Sequence, residues 1–514
     1  MKNIPLKFAG LITTALVAPA MFASSASAQY VNKATPAQIA QLQAPTSARA
    51  VSSTLDRVKM WNEVMLESNL IDHSTGVGQL GPTRNSRAFA IVSIAVFDAV
   101  NAFSNRFRSY NAAVPRALAG ASRDAAITEA AYRTLVALHP AQTIRLTGIY
   151  SSDISRINAS QASVEAGKAI GLASANAMLA RRSNDGSQHA EPTFGDSTGV
   201  LARGATINAR GDTVNSGNLA APNWTRDPIA NQPTSVGARW GNVTPFVLRT
   251  GDQFRIAPIP LPNTARYRAG FNDVAGRGAD IAIPGSTHDA RQTFVGNFWG
   301  YDGQPLLGTP PRLYNQIAVS IAEDQGLTSV NEFARLLAVL NSSMGDSGIA
   351  AWDSKYFYNY WRPVTGVRGG GVDGDPTTVG VANWRPFGLS ILNNTAFRGL
   401  PRDRQTITPN FPAYPSGHAT FGAALFGSLR AYFPENTRFT FVSDEYNGTG
   451  EDVKSGEPVR PFVPVRYRSF LEAQRENGDS RIANGVHWEW DDTEGQALGT
   501  NVVRFTLANA FQRR

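Results

Sequence analysis

Three short stretches in the second half of the chain carry residue types suited to one kind of ligand. Lys355-Tyr-Phe-Tyr-Asn-Tyr-Trp-Arg362-Pro363 sets a lysine and an arginine seven positions apart. Seven residues make two helical turns, so the spacing predicts both cations on one helix face, with Pro363 ending that helix. A compact ammonium and a planar guanidinium held together suit an oxyanion with several oxygens. Pro415-Ser416-Gly417-His418 stands directly before an apolar helical pattern. Ser416 fits the N-cap, Gly417 lets a ligand approach its own N–H, and the helix start adds further N–H donors and a favourable dipole. His418 adds a group that exchanges a proton near neutral pH. Ser480-Arg481-Ile-Ala-Asn-Gly-Val-His487-Trp-Glu-Trp-Asp491 supplies a third cation, Arg481, and in His487 a nitrogen able to bond the central atom of such an anion. A helix here would bring Asp491, four residues on, to the His487 ring, fixing its tautomer and raising its basicity.

Each stretch alone has a plain structural reading: a solvated helix face, an ordinary cap, a structural His–Asp pair. Their joint occurrence is what points to chemistry. Two of only six histidines fall inside these motifs, and the other four, His73, His139, His189 and His288, sit in no comparable pattern and are read as structural. There is no cysteine, which excludes disulfides, thiolate metal sites and cysteine nucleophiles. The formal charge is +8, or +6 without Lys2 and Lys7, and suits anionic ligands in general. The basic residues are scattered rather than clustered, which argues against nucleic acid as a partner.

These residues need elements to hold them. Residues 1–28 read as a signal peptide: Lys2 and Lys7, an apolar run from Phe8 to about Ala23, then Ala26-Ser27-Ala28. The chain is therefore expected to be exported, to the periplasm or beyond the cell, with no membrane span after cleavage. Residues 29–182 read as an N-terminal helical bundle, with helical periodicity over 53–70, 86–103, 121–138, 143–157 and 162–181. In 183–297 Gly, Pro, Asn and Thr become frequent and periodicity fades, predicting a loop-rich connecting region with short helices at most. Residues 298–514 read as a C-terminal bundle carrying the three motifs. Its helices are expected at 311–323, 330–341, about 351–361, 416 to about 433 and about 494–511, with a glycine-rich loop over 369–375. The fold class is mainly α, two helical bundles with long irregular loops. Two large apolar bundles are compatible with a homodimer.

At these motifs the sequence resembles the superfamily that joins vanadium-dependent haloperoxidases to type 2 phosphatidic acid phosphatases and bacterial class A acid phosphatases. The pattern Lys-x6-Arg-Pro, Pro-Ser-Gly-His, Ser-Arg-x5-His-x3-Asp is present without substitution. The likeness to the haloperoxidase branch, closest to its chloroperoxidase-like members, extends to Phe298-Trp-Gly-Tyr-Asp302-Gly, Gly308 to Asn315, Phe411 to Gly422 and the stretch 86–101. The resemblance implies vanadate as cofactor, bonded by His487 and held by Lys355, Arg362, Arg481, Ser416 and the Gly417 N–H. It implies His418 as the acid–base group, Lys355 as the group polarising bound peroxide, and Asp302 as a brace for Arg481. Trp352 and Phe411 match positions on the halide side, and the aromatic at Phe411 leans towards the chloroperoxidase type. Hydrogen peroxide, a halide and a small organic acceptor would be the partners in reaction.

Two other readings share the residues. An exported acid phosphatase would use His487 as nucleophile through a phosphohistidine, with His418 protonating the leaving group. A non-catalytic oxyanion-binding protein would need the cations but neither histidine.

Overall fold

The computed structural model describes residues 51–194, 206–207, 213–214, 223–452 and 459–514. The expected signal peptide and the mature start near Gln29 lie outside them. Among the described residues 55% are helical, most of them in thirteen α-helices. The first five are α1 (Thr54–Thr75), α2 (Gly81–Ser104), α3 (Arg123–Leu138), α4 (Thr143–Ser155) and α5 (Gln161–Arg182). Their starts follow local chemistry: the hydroxyls of Ser53, Ser122 and Ser160 accept N–H groups of the first turn in α1, α3 and α5. Helix α2 is long and apolar enough to cross a membrane by composition, but it is packed inside the core.

The region 183–297 is less bare than its composition suggests. It holds α6 (Ala265–Arg277), capped by the Thr264 hydroxyl, and α7 (Ala290–Phe298), which Asp289 and Gln292 start with a capping box. Described backbone here is strapped to the helices by a buried carboxylate. Asp346 accepts the main-chain N–H groups of Phe246, Val247 and Leu248 at 2.6, 2.8 and 2.8 Å.

Helices α8 (Pro310–Asp324), α9 (Val330–Tyr358), α10 (Pro363–Gly369), α11 (Gly417–Arg430), α12 (Phe470–Ala483) and α13 (Glu489–Asn509) complete the fold. The strands are minor: β1 (Thr206–Ile207) pairs with β2 (Thr213–Val214), and β3 (Phe439–Phe441) with β4 (Val465–Tyr467).

Two expectations need correction here. The sequence pattern breaks at Ser342-Ser-Met-Gly-Asp-Ser-Gly348 and predicts separate helices at 330–341 and 351–361, whereas α9 runs unbroken through 29 residues. Small side chains inside it mark close packing rather than a loop. A Cβ on Gly345 would stand 2.8 Å from the Phe246 ring and 3.4 Å from Ala90 Cβ of α2. The second correction concerns Arg362. Helix α9 ends at Tyr358 on Asn359, whose backbone is left-handed, so Arg362 lies outside it in extended conformation. Pro363 opens α10 instead of closing α9, as a proline at the first helical position can. Lys355 and Arg362 therefore approach the same region from two segments and not from one helix face.

Glycines decide how α13 meets α11. A Cβ at Gly495 would lie 2.8 Å from the Ser416 main-chain oxygen, and one at Gly499 2.1 Å from that of Thr420. Only bare backbone lets α13 lie this close to the start of α11. Gly499→Ala should push the two helices apart and lower stability by about 1–3 kcal/mol. Thermal unfolding of the variant checks this, and an unchanged melting temperature contradicts it.

Candidate functional site

The start of α11, the end of α12 and the turn into α13 meet around one cavity of about 40 Å³ lined by Asp302, Trp352, Phe411, Gly417, His418, Arg481 and His487 among others. At about 10–15 Å³ per water-sized group this is room for three or four oxygens.

His487 sits in the turn between α12 and α13. Its Nδ1 donates to Asp491 Oδ2 at 2.7 Å, which fixes the Nδ1–H tautomer and leaves the lone pair on Nε2. The pairing arises from capping rather than from helical spacing: His487 precedes the helix, and the same Asp491 oxygen accepts the Trp488 N–H at 3.0 Å. The Asp491 main-chain oxygen accepts the Ser416 N–H at 2.8 Å, stitching the second and third motifs together. Ser416 is the N-cap of α11, its hydroxyl accepting the Ala419 N–H at 3.4 Å, and Gly417 is the first helical residue.

Arg362 Nη1 points at the His487 Nε2 lone pair at 2.9 Å and also donates to the Val486 carbonyl at 2.7 Å. Its Nε donates to Phe411 O at 3.0 Å, and Nη2 is buried with no protein partner. Arg481, in the last turn of α12, donates from Nη2 to Asp302 Oδ1 at 2.8 Å, while its Nε is buried and without a partner. Asp302 is itself held by the Ser390 N–H at 3.1 Å.

His418 donates from Nε2 to the Gly300 carbonyl at 2.8 Å, because a carbonyl can only accept. In the neutral ring this leaves Nδ1 as the proton acceptor. Asn477 of α12 donates to the His418 main-chain oxygen at 2.9 Å, and Tyr314 of α8 contacts both.

The structure places Lys355, like Arg362 and Ser416, beside the cavity rather than in its lining. Its ammonium is fully buried and donates to the carbonyls of Pro412, Ala413 and Pro415 at 2.9, 2.9 and 2.5 Å, so its three protons are occupied in bracing the segment ahead of Ser416. The Phe411 ring lies between Lys355 and Arg362, 5.0 Å from Nζ and 4.9 Å from the guanidinium carbon, and packs against Trp352 with centroids 4.9 Å apart.

Electrostatics give the site its character. Burial, then mutual repulsion with Arg362, holds Lys355 well below its ordinary pKa, and burial brings Arg362 down to about 9. Burial and then the cations Arg362, Lys355 and Arg481 keep His487 neutral, and burial with Arg481 does the same for His418. Burial pushes Asp491 up to about 7, against the pull of the Trp488 N–H and the two cations. Three buried cations thus face two carboxylates, with unpartnered guanidinium N–H groups between them, an arrangement that an anion completes. Among the described residues no group of three His, Cys, Asp or Glu side chains is placed to chelate a metal cation.

Residues 335–513 match the family model described as the VCPO second helical-bundle domain. That match and the relatives below place the chain's likeness among the vanadium haloperoxidases. It is similar to the vanadium chloroperoxidase of Curvularia inaequalis, 27% identical over 502 residues, covering 84% of this chain and 78% of that protein. Solved structures share the fold. A bacterial vanadium-dependent iodoperoxidase superposes with a TM-score of 0.65 at 19% identity, covering 91% of this chain and 99% of that one. The holo form of a bacterial vanadium-dependent chloroperoxidase gives 0.59 at 16% identity, covering 84% and 92%.

The motifs left several participants unmarked. Ser390 and Asn477 act through a main-chain N–H or a single amide, and neither belongs to a residue pattern that a sequence exposes. Tyr301, adjacent to Asp302, also lines the cavity and has a left-handed backbone (φ 43°). Because Asp491 fixes the His487 tautomer, Asp491→Asn should weaken binding of a tetrahedral oxyanion by about 10–100-fold. Calorimetry with orthophosphate as probe measures this, and an unchanged affinity would remove Asp491 from the role.

Proposed function

We propose that this chain is a vanadate-dependent haloperoxidase that oxidises a halide with hydrogen peroxide to a hypohalous species, which halogenates small organic acceptors. The observation that carries the reading is the pairing of His487 Nε2, stripped of its proton by the bond from Nδ1 to Asp491, with buried guanidinium N–H groups that lack protein partners. A tetrahedral oxyanion with one nitrogen bond to its centre fits that donor set, and the likeness to a vanadium chloroperoxidase favours vanadate over phosphate.

In this reading His487 Nε2 would bond vanadium, and Arg362, Arg481, the Ser416 hydroxyl and the Gly417 N–H would hold the oxygens. Arg362 Nη2 and Arg481 Nε would thereby gain the partners they lack. Bound vanadate supplies a Lewis-acidic centre that activates hydrogen peroxide without changing oxidation state. His418, tethered through Nε2 to Gly300, takes and returns a proton at Nδ1. Asp302 keeps the Arg481 fork in place, as a buried carboxylate partner does. Lys355 braces the 412–415 segment and adds positive potential, and any direct contact with an oxygen requires release of one carbonyl. Trp352 and Phe411 wall the halide side and keep it dry. The chain reaches its place of work as an exported protein, on the pattern of residues 1–28.

Purified protein loaded with orthovanadate should halogenate a phenol dye with peroxide and bromide or chloride, and His487→Ala should abolish this. Release of phosphate from a phosphomonoester without vanadate, and no halogenation, would assign the site to phosphoryl transfer through His487 instead.

A further inference from the structure

The site cavity is not isolated. Leu389 and Pro409 wall both it and a second cavity of about 70 Å³. At about 10–15 Å³ per water-sized group, that space takes five to seven heavy atoms, the scale of one six-membered ring and far more than a halide needs. Its chemistry also differs from the cationic site. No charged side chain lines it; the polar groups include the carboxamides of Gln232, Gln304, Asn394 and Asn410, and Phe397 and Ile407 supply apolar surface.

The carboxamides are oriented by the fold. Asn394 Nδ2 donates to Gln304 Oε1 at 2.8 Å, and Gln304 Nε2 donates to the main-chain oxygen of Asp302 at 3.2 Å, so this wall is tied to the residue that holds Arg481. Asn410 Nδ2 donates to the Thr234 carbonyl at 2.8 Å, which leaves its Oδ1 to accept. Gln232 in this lining is half-buried. Neutral acceptors and donors with apolar walls recognise a neutral ring bearing a hydroxyl group, and a charged ligand would lose hydration here with no counter-charge to replace it.

We propose that this second cavity seats the organic acceptor, an uncharged hydroxylated aromatic ring of the phenol class, beside the point where the oxidised halogen is made. The proposal deepens the haloperoxidase reading and rests on it. Hypohalous acid formed in the first cavity passes Leu389 and Pro409. A ring carbon forms the carbon–halogen bond as the oxygen–halogen bond breaks, and the displaced ring proton leaves with the hydroxide as water. No further oxidant is needed.

Ala396 lines the cavity on its exposed side, so Ala396→Trp narrows it with little demand on the core. Three measurements test the seat: phenol binding to the vanadate-free protein by saturation-transfer NMR, trihalide formation from iodide by the vanadate-loaded enzyme without acceptor, and the ortho-to-para ratio of brominated phenol. The wild type should bind phenol and give a ratio distinct from that of free hypobromous acid. Ala396→Trp should weaken binding and raise the KM for phenol about tenfold, return the ratio to that of the free reagent, and leave trihalide formation unchanged. A wild-type ratio equal to the free reagent's, with phenol binding indifferent to Ala396→Trp, overturns the seat. Phenol binding that Ala396→Trp abolishes, with no trihalide from the wild type, keeps the seat as a phenol site and overturns the haloperoxidase reading alone.

Discussion

One carboxylate, Asp491, joins the parts of the site. Its Oδ2 takes the His487 Nδ1 proton at 2.7 Å and caps the Trp488 N–H, while its main-chain oxygen takes the Ser416 N–H at 2.8 Å. The imidazole, the start of α13 and the start of α11 are therefore fixed relative to one another through a single residue. Gly495 and Gly499 make this approach feasible, because side chains there would collide with the α11 backbone. The histidine lone pair is consequently aimed before any ligand arrives, and the binding free energy is not consumed in ordering it.

A second constraint is charge. Lys355, Arg362 and Arg481 are almost wholly removed from solvent, and Asp302 and Asp491 cannot neutralise all three. The protein tolerates this by spreading main-chain carbonyls around the cations: three on Lys355 and two on Arg362. Carbonyl dipoles stabilise a buried cation without quenching its field, so the cavity keeps a positive potential that favours an anion. Buried polar groups left without partners are costly, and a ligand that partnered Arg362 Nη2 and Arg481 Nε would recover that cost on binding.

Much of this was legible in the residues and some was not. Helices with clear apolar periodicity and hydroxyl caps, such as α1, α3 and α5, follow their sequence closely because cap and periodicity agree. The unbroken α9 did not, because its serines and glycines are loop formers by propensity and packers by context: they admit α2 and Phe246 at short range, which only the tertiary structure reveals. The second and third motifs mark Gly417, His418, Arg481 and His487 of the cavity wall, since charge and proton chemistry are properties of residue type. The route by which Arg362 arrives was misread for the same reason, because spacing fixes a helix face only if one helix contains both residues. Lys355 shows the limit further: its residue type announces a cation, but nothing in the sequence says that three carbonyls surround it.

Titration calorimetry of orthovanadate into the wild type, Arg362→Ala and His487→Ala separates a convergent oxyanion site from a set of structural ion pairs. Saturable binding of one equivalent per chain, competed by phosphate and lost in His487→Ala, is the expected result. No saturable binding to the wild type, or equal affinity in all three proteins, would show that these side chains do not act on a common anion.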